Sequence, residues 1–203
     1  MAVQSGVYRG LSAAERVTER RARLLDAALE VWADAEQRTT MTAICNAAGL
    51  TERYFYESFK GLDDALRAVM DQIAAEIEEV TDAAADAAGP DPVAQATAVL
   101  TSFVELLRDD PRKGRVAIIE AGAMPELRGR RTEILRDFAH RSAVEARDRM
   151  GLPHRSEHEE EMAGLLFIGG MAELVTAWLD GAMQATPEQL IDAASRSFLA
   201  LYA

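Results

Sequence analysis

The sequence predicts an all-α fold of about nine helices. Three observations carry this. Alanine, the best helix former, occurs 38 times, against 20 for valine and isoleucine together. No segment alternates apolar and polar residues over the length of a strand. Apolar residues return at helical spacing instead, between N-cap residues, first-turn prolines and terminal glycines.

Helix 1 opens at Ser12 with Glu15 three residues on, a capping box. It is expected to run to about Asp34 with Val17, Leu24, Ala28, Val31 and Trp32 inward. Helix 2 follows Thr40 and stops at Gly49, and helix 3 runs from Thr51 to about Ser58. Helix 4 runs from Leu62 to about Ala88, with Leu66, Val69, Met70, Ile73, Ile77 and Val80 on one stripe. Helix 5 opens at Asp91-Pro92, an N-cap followed by a first-turn proline, and ends before Pro111. Helix 6 covers about Arg112 to Ala123, and helix 7 runs from near Pro125 to the Gly151-Leu152-Pro153 stop. Ser156 and Glu159 box the start of helix 8, which reaches about Met183. Helix 9 opens with Thr186-Pro187 and Gln189.

A chain of 203 residues, 49% apolar and 28% charged, is globular in composition and long enough for a core. The single cysteine, Cys45, excludes an internal disulfide and most structural zinc sites. The opening MAVQSGVYRG has no apolar run, so no signal peptide is read and the expected compartment is the cytoplasm. The net charge of −12 is unevenly placed. Residues 1–60 hold eight basic and eight acidic side chains; residues 61–203 hold fourteen and twenty-six. Arg9, Arg16, Arg20, Arg21 and Arg23 crowd the first 23 residues. An anionic partner is thus compatible with the N-terminal end alone.

The nearly continuous apolar run from Met162 to Leu179 raises a membrane question. Glu173, Thr176 and three glycines interrupt it, and its flanks are acidic rather than basic. A helix buried on most sides inside the protein is the expectation, with no membrane partner.

The informative stretch is Thr39 to Leu66, TTMTAICNAAGLTERYFYESFKGLDDAL. Ile44, Ala47 and Ala48 face a small core, Gly49 makes a sharp turn, and Leu50 plugs the corner. Thr51 caps the next helix, whose Phe55 and Phe59 return to the core. Two short helices and a glycine turn make a helix-turn-helix. Thr40, Thr42 and Thr51 stand at helix starts, where hydroxyls and free N–H groups suit phosphate oxygens. Glu52, Arg53 and Tyr54 lie on the first turn that reaches base edges, and Arg53 has the fork for guanine. Glu52 either accepts from cytosine or complements the helix dipole. Tyr56 and Lys60 are placed for phosphates.

This stretch resembles the DNA-binding domain of the TetR (tetracycline repressor) family. Arg21 to Trp32 (RARLLDAALEVW) is similar to the family's first helix. Thr40-Met41 to Ile44 and Ala48-Gly49-Leu50-Thr51 are similar to its second helix and turn. Phe55-Tyr56, Phe59-Lys60, Leu62 and Leu66 are similar to its recognition helix and the start of helix 4. Glu52-Arg53 departs from the usual lysine and small residue, and Cys45 stands where alanine is usual.

The resemblance implies a homodimeric, ligand-responsive transcriptional regulator, most simply a repressor released from a palindromic operator by a small molecule. It divides the chain into 1–15, an N-terminal arm and the start of helix 1; 16–66, the DNA-binding domain; and 67–203, the ligand-binding and dimerisation domain. Helix 4 spans both parts and would couple them. Helices 8 and 9 would form the dimer interface, through Phe167, Gly170, Leu174 and Trp178 on one and Leu190, Ala194 and Leu201 on the other. A pocket among helices 4–8 would be lined by Phe103, Leu107, Ile119, Met124, Phe138, Met162 and Leu166. Glu173 is its expected polar group and would favour a cationic effector.

No catalytic machinery is visible: no Gly-rich phosphate loop, no Gly-x-Ser-x-Gly, no Glu-x-x-His. Neither an enzyme, a metal nor a cofactor is therefore expected. His154 and His158 are four apart, but Pro153 and Ser156 break the helix between them. The competing reading is a helical-bundle binding protein or enzyme with an incidental helix-turn-helix.

Overall fold

The structure, a computed structural model, describes residues 12–202. Nine helices and no strand occur among the described residues. They are α1 (Ala13–Ala33), α2 (Met41–Ala48), α3 (Glu52–Ser58), α4 (Leu62–Ala87), α5 (Pro92–Asp109), α6 (111–123), α7 (128–149), α8 (Glu157–Leu179) and α9 (Pro187–Tyr202). The expected N-terminal arm, with Arg9, lies outside the described residues up to residue 11.

The caps form where the sequence places them. Ser12 and Glu15 bond reciprocally, as do Ser156 and Glu159. Asp91 accepts from the Ala94 N–H ahead of Pro92. Thr186 and Gln189 make the third reciprocal pair, at 2.9 and 3.3 Å. α8 ends at Leu179, earlier than Met183, because Gly181 turns the chain at φ 70°.

The chain divides into two compact units, the first ending at Ala65 and the second starting at Leu66. The division falls inside the first turn of α4, which is one continuous helix. In the first unit, α1 packs on α2 and α3. Its core is Leu24, Ala28, Val31 and Trp32 with Ile44, Cys45, Ala48, Phe55 and Phe59, all buried. Two expected core residues do not join it. Val17 is 47% exposed, because it lies on the α1 turn before the stripe engages α2. Ala47 is exposed, since only Ile44, Cys45 and Ala48 of α2 turn inward.

In the second unit the closest helix packing is α7 on α8 and α5 on α9. Gly164 makes the first possible: a Cβ there would lie 2.4 Å from the Ala139 carbonyl oxygen, so the α8 backbone rests on α7. Leu100 and Leu107 of α5 share a core with Phe167, Met171 and Val175 of α8 and Phe198 and Tyr202 of α9. The Phe167 and Phe198 rings meet edge to face at 5.1 Å. Two stretches are wound as π-helix, 115–120 within α6 and 145–149 at the end of α7.

α4 is tied into this unit by ion pairs. Arg130 bonds Asp71 at 2.7 Å, Arg141 bonds Asp82 at 2.7 Å, and Arg149 bonds Asp86. Lys113 of α6 reaches Glu76 at 2.5 Å. Arg67 donates to the Glu126 carbonyl at 2.6 Å.

α8 is long and apolar enough to cross a membrane by length and composition alone. The expectation that it is buried on most sides is not met: 28% of its apolar window is buried. One face, with Ala163, Gly164, Phe167, Met171 and Val175, points into the unit. The other leaves Met162 (52%), Leu165 and Leu166 (66%) exposed beside Gly169 and Gly170.

Candidate nucleic-acid interface and effector cavity

The α2–turn–α3 segment is built from its end groups. Thr40 caps α2 by accepting from the Ala43 N–H at 3.1 Å. Gly49 takes φ 62°, a left-handed conformation that closes α2, and the Leu50 N–H returns to the Cys45 carbonyl at 2.9 Å. Thr51 occupies the N-cap position of α3, but its hydroxyl makes no capping bond.

Three of the N-terminal arginines hold this segment from behind. Arg23 donates to the Ala48 carbonyl at 2.6 Å, the last of α2. Arg21 donates to the Ser58 carbonyl at 2.6 Å, the last of α3, and lies 4.3 Å over the Phe59 ring. Arg20 lies 4.5 Å over the Tyr54 ring and 3.9 Å from Glu57.

The eight residues expected at a DNA surface divide accordingly. Thr42, Thr51, Glu52, Arg53, Tyr56 and Lys60 are exposed, and Tyr56 is 60% exposed. Thr40 is half-buried by its capping role. Tyr54 is half-buried beneath Arg20. Arg53 pairs with Glu57 one turn on, at 3.0 Å and open to solvent, where such pairs are weak. Glu52 accepts from the Thr42 hydroxyl at 3.5 Å. Burial raises the Cys45 thiol pKa, with the Glu52 charge acting the same way, and both disfavour the thiolate.

The second unit contains a cavity of about 200 Å³. It follows α4 from Met70 to Ala85, about 22 Å of helix at 1.5 Å per residue. Phe103 of α5, Ile118 of the α6 π segment, Phe138 of α7, and Phe167 and Met171 of α8 form its walls. Six polar side chains line it: Thr81, Asp82, Arg131, Arg141, Ser142 and Glu145.

Of the expected lining, the structure places Phe103 and Phe138 on the cavity. Leu107 is buried in the core instead, and Ile119 and Met124 do not line the cavity. Met162, Leu166 and Glu173 are exposed on the outer side of α8, which removes the argument for a cationic effector. The expected dimer residues shift the opposite way. Phe167, Leu190 and Ala194 are buried within the unit, because the α8 stripe bearing Phe167 meets Phe198. Gly170 is exposed, and Leu174, Trp178 and Leu201 are half-buried.

His154 contacts Glu160 at 2.9 Å just before α8. Among the described residues no group of three or more His, Cys, Asp or Glu is gathered for a metal.

The α1–α3 unit has the geometry of a helix-turn-helix, two short helices joined at a glycine turn, and it stands at the N-terminal end of an all-α chain whose second unit holds a cavity. The fold of the chain is that of TetR-type regulators. The fatty acid degradation regulator FadR from Bacillus halodurans superposes with a TM-score of 0.72 at 18% identity, over 90% of this chain and 97% of that one. FadR from Bacillus subtilis, in complex with stearoyl-CoA, gives 0.69 at 21% identity, over 90% and 97%. A TetR family transcription regulator from Marinobacter aquaeolei gives 0.63 at 20% identity, over 92% and 97%. At these identities the likeness is one of fold. No family model matches the sequence, and no curated protein matches it.

Proposed function

We propose that this chain is a TetR-family transcriptional regulator of the cytoplasm, a homodimeric repressor released from a palindromic operator by a mainly apolar small molecule. The observation that carries the reading is the division within α2 and α3. Ile44, Phe55 and Phe59 lock both helices to α1, while Thr42, Thr51, Arg53, Tyr56 and Lys60 stay outside. Those residue types suit phosphates and base edges.

The apolar walls of the cavity support an apolar effector. Stearoyl-CoA, bound to the Bacillus subtilis regulator of the same fold, carries a long apolar chain. Self-association is supported by the outer face of α8, where Met162, Leu165 and Leu166 form an apolar surface too continuous for a solvated helix side. Continuity of α4 from Leu62 to Ala87 offers the coupling, since a ligand that prefers one α4 position shifts DNA affinity and DNA shifts ligand affinity equally.

Duplexes selected from a random pool test the proposal. Arg53→Ala should cost about 1–3 kcal/mol and relax preference at one position. Lys60→Ala should weaken all duplexes alike and flatten the salt dependence. Light scattering on the same samples should report two chains per particle. Wild-type affinity in both variants, or a monomer that binds DNA as well, would sink the reading.

A further inference from the structure

The cavity contains one polar group that nothing in the protein satisfies. Thr81 donates to the Ile77 carbonyl at 2.7 Å. Ser142 donates to the Ala139 carbonyl at 2.9 Å and meets the Tyr202 hydroxyl at 3.2 Å. Asp82 and Arg141 bond each other, and Glu145 bonds Arg149 at 2.6 Å. Arg131 is the exception. Its Nε is buried without a hydrogen-bond partner, and among the described residues no carboxylate pairs with its guanidinium. Its neighbour Arg130 does find partners, in Asp71 and Glu133.

A buried cationic donor without a partner is unfavourable, so such a site favours a ligand that supplies the missing acceptor. The ligand must also suit the rest of the walls. Arg131 lies ten residues from Arg141 on α7, about 15 Å of helix, with Ile134, Leu135 and Phe138 between. A group bonded to Arg131 therefore has a long apolar slot before it and a closed ion pair, Arg141–Asp82, beyond. Gly122 leaves the flank of the guanidinium free of side chain; a Cβ there would stand 3.6 Å from Nε.

From this geometry we infer that Arg131 is the anchor for an anionic head group, and that the cavity takes an elongated apolar acid, a long-chain carboxylate. The inference rests on the reading of this cavity as the effector site and names the ligand class. A planar guanidinium fork matches a carboxylate in two parallel hydrogen bonds. The apolar walls give affinity to the chain, and Arg131 sets which end leads.

The test uses the full chain and three probes of equal length below their micellar concentrations: dodecanoate, 1-dodecanol and dodecylammonium. Calorimetry should give dodecanoate roughly tenfold or more the affinity of 1-dodecanol, the scale of a charge-assisted hydrogen bond, and dodecylammonium weaker still. In Arg131→Met the acid and the alcohol should come within about threefold of each other. Arg131→Lys should restore part of the preference, because charge remains while the fork is lost. Equal wild-type affinity for acid and alcohol needs no variant to read, and it overturns the inference. So does an acid preference that survives in Arg131→Met, or binding of stearoyl-CoA with refusal of the free acid. Operator binding is measured separately. Loss of DNA binding with Arg131-dependent acid binding intact would overturn the regulator reading and leave this one standing.

Discussion

The two units treat empty space and polar groups in opposite ways. The first is closed: Phe55 is fully buried, and Arg20, Arg21 and Arg23 each find a carbonyl, a ring or a carboxylate. The second leaves a cavity along α4, winds two of its walls as π-helix, and holds α4 by ion pairs. A surface that presents fixed side chains to a partner gains from rigidity, and one that admits a ligand needs volume held open. On the proposed function the same chain meets both needs by separating them.

That contrast breaks first at the cores. Phe55→Ala should cost about 3–5 kcal/mol, because the first unit has no room to collapse. Phe167→Ala should cost less, since that ring already borders the cavity. Chemical denaturation of each variant checks the ordering, and a larger loss at Phe167 would refute the contrast. Glycines sharpen it next. Gly164→Ala drives a Cβ into the Ala139 carbonyl and should cost about 1–3 kcal/mol by prising α8 from α7. Gly49→Ala meets only Arg23 at 3.4 Å but must hold φ 62°, about 1–2 kcal/mol. Hydrogen exchange should locate the first loss in 128–179 and the second in 41–58. The smallest effect concerns salt. Raising ionic strength should speed exchange along 67–87, where Asp71, Asp82 and Asp86 are the ion-pair partners, by less than about 1 kcal/mol per pair. Exchange in 24–32 should not respond.

Helix ends were legible because capping is local. Ser12 with Glu15, Ser156 with Glu159 and Thr186 with Gln189 name their own partners three residues away. The exposed side chains of α3 were legible for the same reason, since Phe55 and Phe59 must turn one way and Arg53, Tyr56 and Lys60 the other. The orientation of α8 was not. It is apolar on nearly every side, with mean hydropathy 1.6 across its window, so spacing alone cannot tell the stripe of Phe167 from that of Met162. Assigning those faces the wrong way round put Met162, Leu166 and Glu173 in the cavity and Phe167 outside it. Arg131 was invisible for another reason. It is one of five arginines between 128 and 141, and only tertiary structure shows which of them turns into the cavity with a buried Nε that finds no partner.

The bonds of Arg21 and Arg23 have an electrical meaning as well as a structural one. Each peptide dipole leaves its negative pole at the carbonyl end of a helix. Arg23 sits on that pole of α2 and Arg21 on that of α3, so both are neutralised by the protein itself. The positive pole of α2, at Thr40, has no acidic side chain in its first turn, whereas Glu52 stands in the first turn of α3. The two helices thus differ: α2 has its negative pole answered and its positive pole left open, while α3 carries a charge at each end. A stretch of sequence whose formal charges sum to zero can in this way keep a local positive pole, at the α2 start, without a single surplus lysine or arginine.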